Sequence, residues 1–74
     1  MLEVVSFNNK LYRFRKEDED TMLLYNLLSG EMYFIKGRGK DILLSMDKGK
    51  STELDSEDKI VKFLKCINAI SSPK

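Results

Sequence analysis

The chain has 74 residues, of which 42% are hydrophobic and 34% charged, and its 13 basic and 12 acidic side chains leave a net charge of +1. That length makes a single domain over 1–74 with a small core, since folding at this size buries about 60% of the surface that the unfolded chain exposes. The composition is too apolar for disorder and too charged for a membrane-embedded chain; the balanced charge exerts no global pull on nucleic acid, and the absence of histidine removes most hydrolytic triads and catalytic zinc sites.

The first apolar run, "LEVVSF" at 2–7, reads as a strand or an ordered arm. It follows neither a basic leader nor a long apolar segment, so no signal peptide, transmembrane segment or membrane partner is expected. "LYRFR" at 11–15 alternates apolar and basic residues as a half-buried strand does, and "KEDED" then breaks the pattern with a solvated connection. "MLLYN" at 22–26 and "EMYFIK" at 31–36 flank Ser29-Gly30, which predicts a β-hairpin centred near residue 29. Simple alternation places Met32 and Phe34 on one side of the second strand and Tyr33 and Ile35 on the other, so both sides carry apolar bulk and one needs a cover.

"KGRGK" at 36–40 has the look of a phosphate or minor-groove loop, but a strand-to-helix turn with solvated cations is the favoured reading. A short helix over 40–47 follows, with Ile42, Leu43 and Met46 inward. Gly49-Lys50-Ser51 matches the end of a phosphate-binding loop, yet Leu44 stands where the first glycine belongs, and no buried strand leads into it. The polar stretch 47–55 is therefore expected to be turn, opening a long helix over 56–70 capped by Asp55 or Ser56. Ile60, Phe63, Leu64, Ile67 and Ile70 form its apolar stripe, and Lys59, Lys62 and Lys65 lie off it. Cys66 sits among these apolar residues, where a thiol packs rather than reacts; a lone cysteine suits a reducing cytoplasm. "SSPK" ends the helix, with loose ends expected at about 1–3 and 71–74. The acidic pairs lie in polar runs that do not raise a carboxylate pKa, so no enzyme activity, cofactor or metal is expected.

The order of elements over residues 11–70, and above all "MLLYNLLSGEMYFIKGRGKDILLSMDKGKSTE" at 22–53, resembles the PqqD-like domains, or RiPP recognition elements. The likeness is carried by Leu23 and Leu24, Ser29-Gly30-Glu31, Tyr33 and Ile35, Gly39, Ile42 and Leu43, and Asp47 with Gly49 and Thr52. "FLKCINAI" at 63–70 is similar to the end of the family's last helix. Lys36 replaces a usual asparagine, Lys48 splits the usual aspartate-glycine pair, and residues 50–55 leave little room for the family's middle helix. The resemblance implies an α+β, winged-helix-like domain: a three-stranded antiparallel sheet followed by two or three helices. It implies that the leader segment of a ribosomally made precursor peptide binds as an added strand and is presented to a modifying enzyme, such as a lasso-peptide leader peptidase and cyclase or a radical-SAM maturase, the lasso case being preferred. The site it implies pairs Glu31, Met32, Tyr33, Phe34 and Ile35 with the leader, lines pockets with Ile60, Phe63, Leu64 and Ile67, and attracts acidic leader residues with Lys59, Lys62 and Lys65. A winged-helix DNA-binding regulator, for which the last helix lacks a dense basic stripe, and a structural interaction module are the alternatives. The open strand edge also permits a homodimer.

Overall fold

The computed structural model describes residues 1–72, which form two three-stranded antiparallel sheets and two helices. Strands β2 (Tyr12–Lys16), β3 (Thr21–Asn26) and β4 (Met32–Lys36) make one sheet in the order β2-β3-β4. Its two turns are organised by side chains that imitate backbone acceptors. The Asp18 carboxylate accepts the Asp20 N–H at 2.8 Å, and the Asn26 side chain accepts those of Leu28 and Ser29 at 2.8 and 2.9 Å. Gly30, at φ 77°, then closes the second turn, where a side chain would be strained.

The expected hairpin is thus present, and the "LEVVSF" run is the strand β1 (Leu2–Phe7) of a second sheet. Its neighbours overturn three expectations. Residues 47–55 are not all turn. A 3₁₀ turn at Asp47–Gly49 places Lys48 at φ 61° and Gly49 at φ 79°, and these two left-handed residues send the chain into β5 (Ser51–Asp55), which pairs with β1 from Leu2↔Asp55 to Ser6↔Ser51. The sheet is therefore not single, and a strand occupies the place where a middle helix was allowed. The last helix is also shorter than 56–70: α2 is Lys59–Cys66, capped by the Asp58 carboxylate, which accepts the Ile60 N–H at 2.9 Å, rather than by Asp55 or Ser56. Asn68 takes φ 66°, the Ala69 N–H returns to the Leu64 carbonyl at 2.9 Å, and the chain leaves the helix as β6 (Ile70–Ser71) on the other edge of β1. The ends are also less loose than expected, since Leu2, Glu3 and Ser71 all lie in strands; residues 73 and 74 fall outside the described residues.

The short helix α1 (Arg38–Ser45) begins two residues earlier than expected and turns Ile42 and Leu43 inward, with buried Met46 just after it. One core joins both sheets and both helices: Val5, Tyr12, Met22, Leu24, Leu43, Met46, Val61, Leu64 and Ile70 are buried within it. The buried Tyr12 hydroxyl donates to the Ile67 carbonyl at 2.7 Å, which satisfies both groups and fixes the end of α2 to β2. Lys65 reaches Glu3 of β1, and that contact, with the Ser72 hydroxyl, holds the Glu3 carboxyl below its usual range. No helix among the described residues is long and apolar enough to cross a membrane.

Candidate functional site

An antiparallel strand with one neighbour exposes half of its backbone hydrogen-bonding groups. Among the described residues the free edges are those of β2, β4, β5 and the two-residue β6. The β2 edge carries Arg13, Arg15 and Lys16, and the β5 edge carries Glu53 and Asp55, charges that oppose an incoming strand. The β4 edge runs Met32-Tyr33-Phe34-Ile35 without a charge before Lys36.

Pairing also decides which β4 residues face outward. The Asn26 N–H donates to the Glu31 carbonyl at 2.8 Å, and ladder bonds alternate from there, so Tyr33 and Ile35 bond to β3 opposite Leu24 and Met22. The amides of Met32, Phe34 and Lys36 therefore point to the free edge.

Helix α2 stands beside that edge. The Tyr33 and Phe63 rings meet edge to face with centroids 5.7 Å apart. Burial and the Glu31 carboxylate push the Tyr33 hydroxyl's pKa up. Between β4, α1 and α2 lies a pocket of about 270 Å³ lined by Phe34, Ile35, Lys36, Gly39, Lys59, Ile60 and Phe63. Its floor exists because Gly39 lacks a side chain: a β-carbon there would lie 2.5 Å from Ile35 Cγ2 and 3.6 Å from Ile60 Cγ2. The Gly39→Ala variant therefore tests the floor. Alanine favours a helix by about 0.5–1 kcal/mol, but overpacking against a stiff β-branched side chain costs roughly 1–3 kcal/mol. A net loss of about 1 kcal/mol is expected in urea denaturation, whereas a stabilised variant would contradict the close approach.

The residues expected to act together divide into two groups. Tyr33, Phe34, Ile35, Lys59, Ile60 and Phe63 converge on the groove. Met32 is exposed on the sheet's outer face, and Glu31 closes the hairpin turn through Ser29, which its carboxylate accepts at 3.2 Å. Leu64 is a correction: it is fully buried in the core, on the opposite side of the stripe from Phe63, and offers no surface to a ligand. Ile67 packs half-buried against the core and does not line the pocket. Cys66 is another correction, because it is exposed rather than packed. Lys62 and Lys65 are engaged by Glu57 and Glu3, whereas Lys36 and Lys59 make no ion pair among the described residues. The sequence reasoning missed Gly39 and Lys36 as groove residues; the available signal was that Gly39 stands among the residues carrying the family resemblance, although it was read as part of a turn.

The chain matches no family model, no curated protein and no solved structure in comparisons with each.

Proposed function

We propose that this protein is a non-enzymatic peptide-binding module that captures an extended segment as a strand along β4, with side chains of that segment entering the groove beside α2. The observation that carries this reading is the free edge of β4, uncharged from Met32 to Ile35, lying next to an apolar pocket lined also by Lys36 and Lys59, which make no ion pair among the described residues. Backbone bonds to Met32, Phe34 and Lys36 supply register, the pocket takes one bulky apolar side chain, and Lys36 and Lys59 favour a carboxylate nearby. The segment is the leader of a ribosomally made precursor peptide, by the resemblance of residues 22–53 to RiPP recognition elements, and the module hands it to a separate modifying enzyme in the cytoplasm. On this reading the hairpin β3–β4 with α1 and α2 is the winged-helix-like part, and β1, β5 and β6 form a sheet that supports it from the far side of the core.

A calorimetric titration with the leader of a precursor peptide encoded beside this chain tests the proposal. Binding at about micromolar Kd, near −8 kcal/mol, is expected. Phe63→Ala removes a ring that is 42% exposed and so leaves the core intact; it should weaken binding by roughly 1–3 kcal/mol, or about fivefold to 150-fold. Unchanged binding by a folded Phe63→Ala chain would rule the groove out.

A further inference from the structure

The net charge of +1 hides a separation between the two sheets. Strands β2, β3 and β4 contain Arg13, Arg15, Lys16 and Lys36 and no acidic residue. Strands β1, β5 and β6 contain Glu3, Glu53 and Asp55 and no basic residue.

The outer faces sharpen the contrast. Residues directly opposite in an antiparallel ladder share a face, so the register lays two rows across the basic sheet: Arg13–Tyr25–Met32 and Arg15–Leu23–Phe34. Met32 and Phe34 are 63% and 68% exposed, so this face has a basic side and an apolar side. On the acidic sheet the rows are Leu2–Asp55 and Val4–Glu53, with Leu2 and Val4 62% and 47% exposed. It too has an apolar side and a charged side, of the opposite sign. Arg13 and Arg15 are two residues apart on one strand, as are Glu53 and Asp55, which spaces each pair by about 7 Å. Both sheets turn their other faces to the same core, so one molecule cannot bring its two outer faces together.

We infer that the acidic outer face of one molecule stacks on the basic outer face of a second copy. In that stack Glu53 and Asp55 lie over Arg13 and Arg15 while Leu2 and Val4 cover the apolar side formed by Tyr25, Met32 and Phe34. Arg13 and Glu53 dominate the attraction. Among the described residues the Arg13 guanidinium donates to the carbonyls of Asn9 and Tyr12 and makes no ion pair, and Glu53 makes none either. Arg15 is partly compensated by Glu17 at 3.1 Å and Asp55 by the chain's amino group at 3.3 Å. The contact is heterologous, so it builds rings or chains rather than a two-fold dimer. It leaves the backbone edge of β4 outside the interface.

Sedimentation of the full chain at low and high salt, up to about 1 mM protein, tests this. The expected result is a mass that rises above the 8.6 kDa monomer with concentration at low salt and returns to monomer at about 0.5 M salt, where screening acts within a few ångströms. Arg13→Glu and Glu53→Lys should each weaken association at least tenfold, and an equimolar mixture should regain the dimer mass or more, because each variant keeps the face the other lacks. Arg15→Glu repeats the test without touching the carbonyl contacts of Arg13. Phe63→Ala should associate as the parent does, which separates this contact from peptide capture. A monomer at every concentration would overturn the inference and assign the two faces to foreign partners. Association that all the charge variants leave unchanged would overturn it in favour of pairing between β4 edges.

Discussion

Replacing Leu64 by alanine should lower the unfolding free energy by about 2–5 kcal/mol, as buried leucines do when a cavity is left behind. Leu64 has no exposed surface and lies in the core that joins both sheets to both helices, so no solvent or loop can fill the space it leaves. A domain of this size holds a total stability of about 4–11 kcal/mol at the usual 0.05–0.15 per residue. The loss is therefore a large share of the whole, and the melting temperature should fall by roughly 10–30 °C. Circular dichroism during heating and urea titration reads this directly. Phe63, one position earlier in the chain and 42% exposed, is the internal comparison. Phe63→Ala should cost clearly less stability than Leu64→Ala while carrying the larger effect on peptide binding. Equal losses from the two would mean that the division of the α2 stripe between core and groove is wrong.

That division could not be read from the sequence. Ile60, Phe63, Leu64, Ile67 and Ile70 recur at helical spacing, and a helical stripe says only that these residues leave water, not which neighbour receives them. The structure gives Leu64 to the core, Ile60 and Phe63 to the groove, and Ile70 to a strand. Ile70 kept the period by coincidence, because α2 ends at Cys66 and Asn68, in the left-handed conformation that asparagine tolerates, turns the chain out of the helix before Ile70. The hairpin was legible because its signals are local: apolar runs on both sides of a Ser-Gly turn, the second of them rich in aromatic and β-branched residues. Strand β5 was not. Its sequence, Ser-Thr-Glu-Leu-Asp, offers one strongly apolar residue, and it is held by pairing with β1 at the far end of the chain, a contact that no local pattern announces. The charge separation between sheets was hidden for the same reason, since strands 2–7 and 51–55 had first to be recognised as partners. Gly39 was visible as a glycine but not as a contact, because its role is the room it leaves for Ile35 and Ile60.

Phe34→Pro should abolish peptide capture more completely than any side-chain truncation in the groove while leaving the fold intact. The asymmetry follows from register. The amide of Phe34 points away from β3, so proline removes no bond from the β3–β4 ladder, and an edge strand with its N–H toward solvent is where sheets tolerate proline. For an incoming strand the same change removes the central donor and puts a ring where the partner backbone must approach to about 4.8 Å. Two to three backbone bonds around position 34 are then lost, at about 0.5–1.5 kcal/mol each. Binding should weaken by roughly 2–4 kcal/mol, about thirtyfold to several hundredfold. Phe34→Ala separates the ring from the amide: its side chain is 68% exposed at the groove rim, and its truncation should cost only a modest part of that loss. Proline at Ile35 would instead strike an amide already bonded to β3 and unfold the hairpin, so circular dichroism must show a native spectrum for the Phe34 variant and a disrupted one for the Ile35 variant. If Phe34→Pro is folded and binds the leader as tightly as Phe34→Ala, the peptide does not add to β4 as a strand, and the pocket beside α2 must hold it by side chains alone.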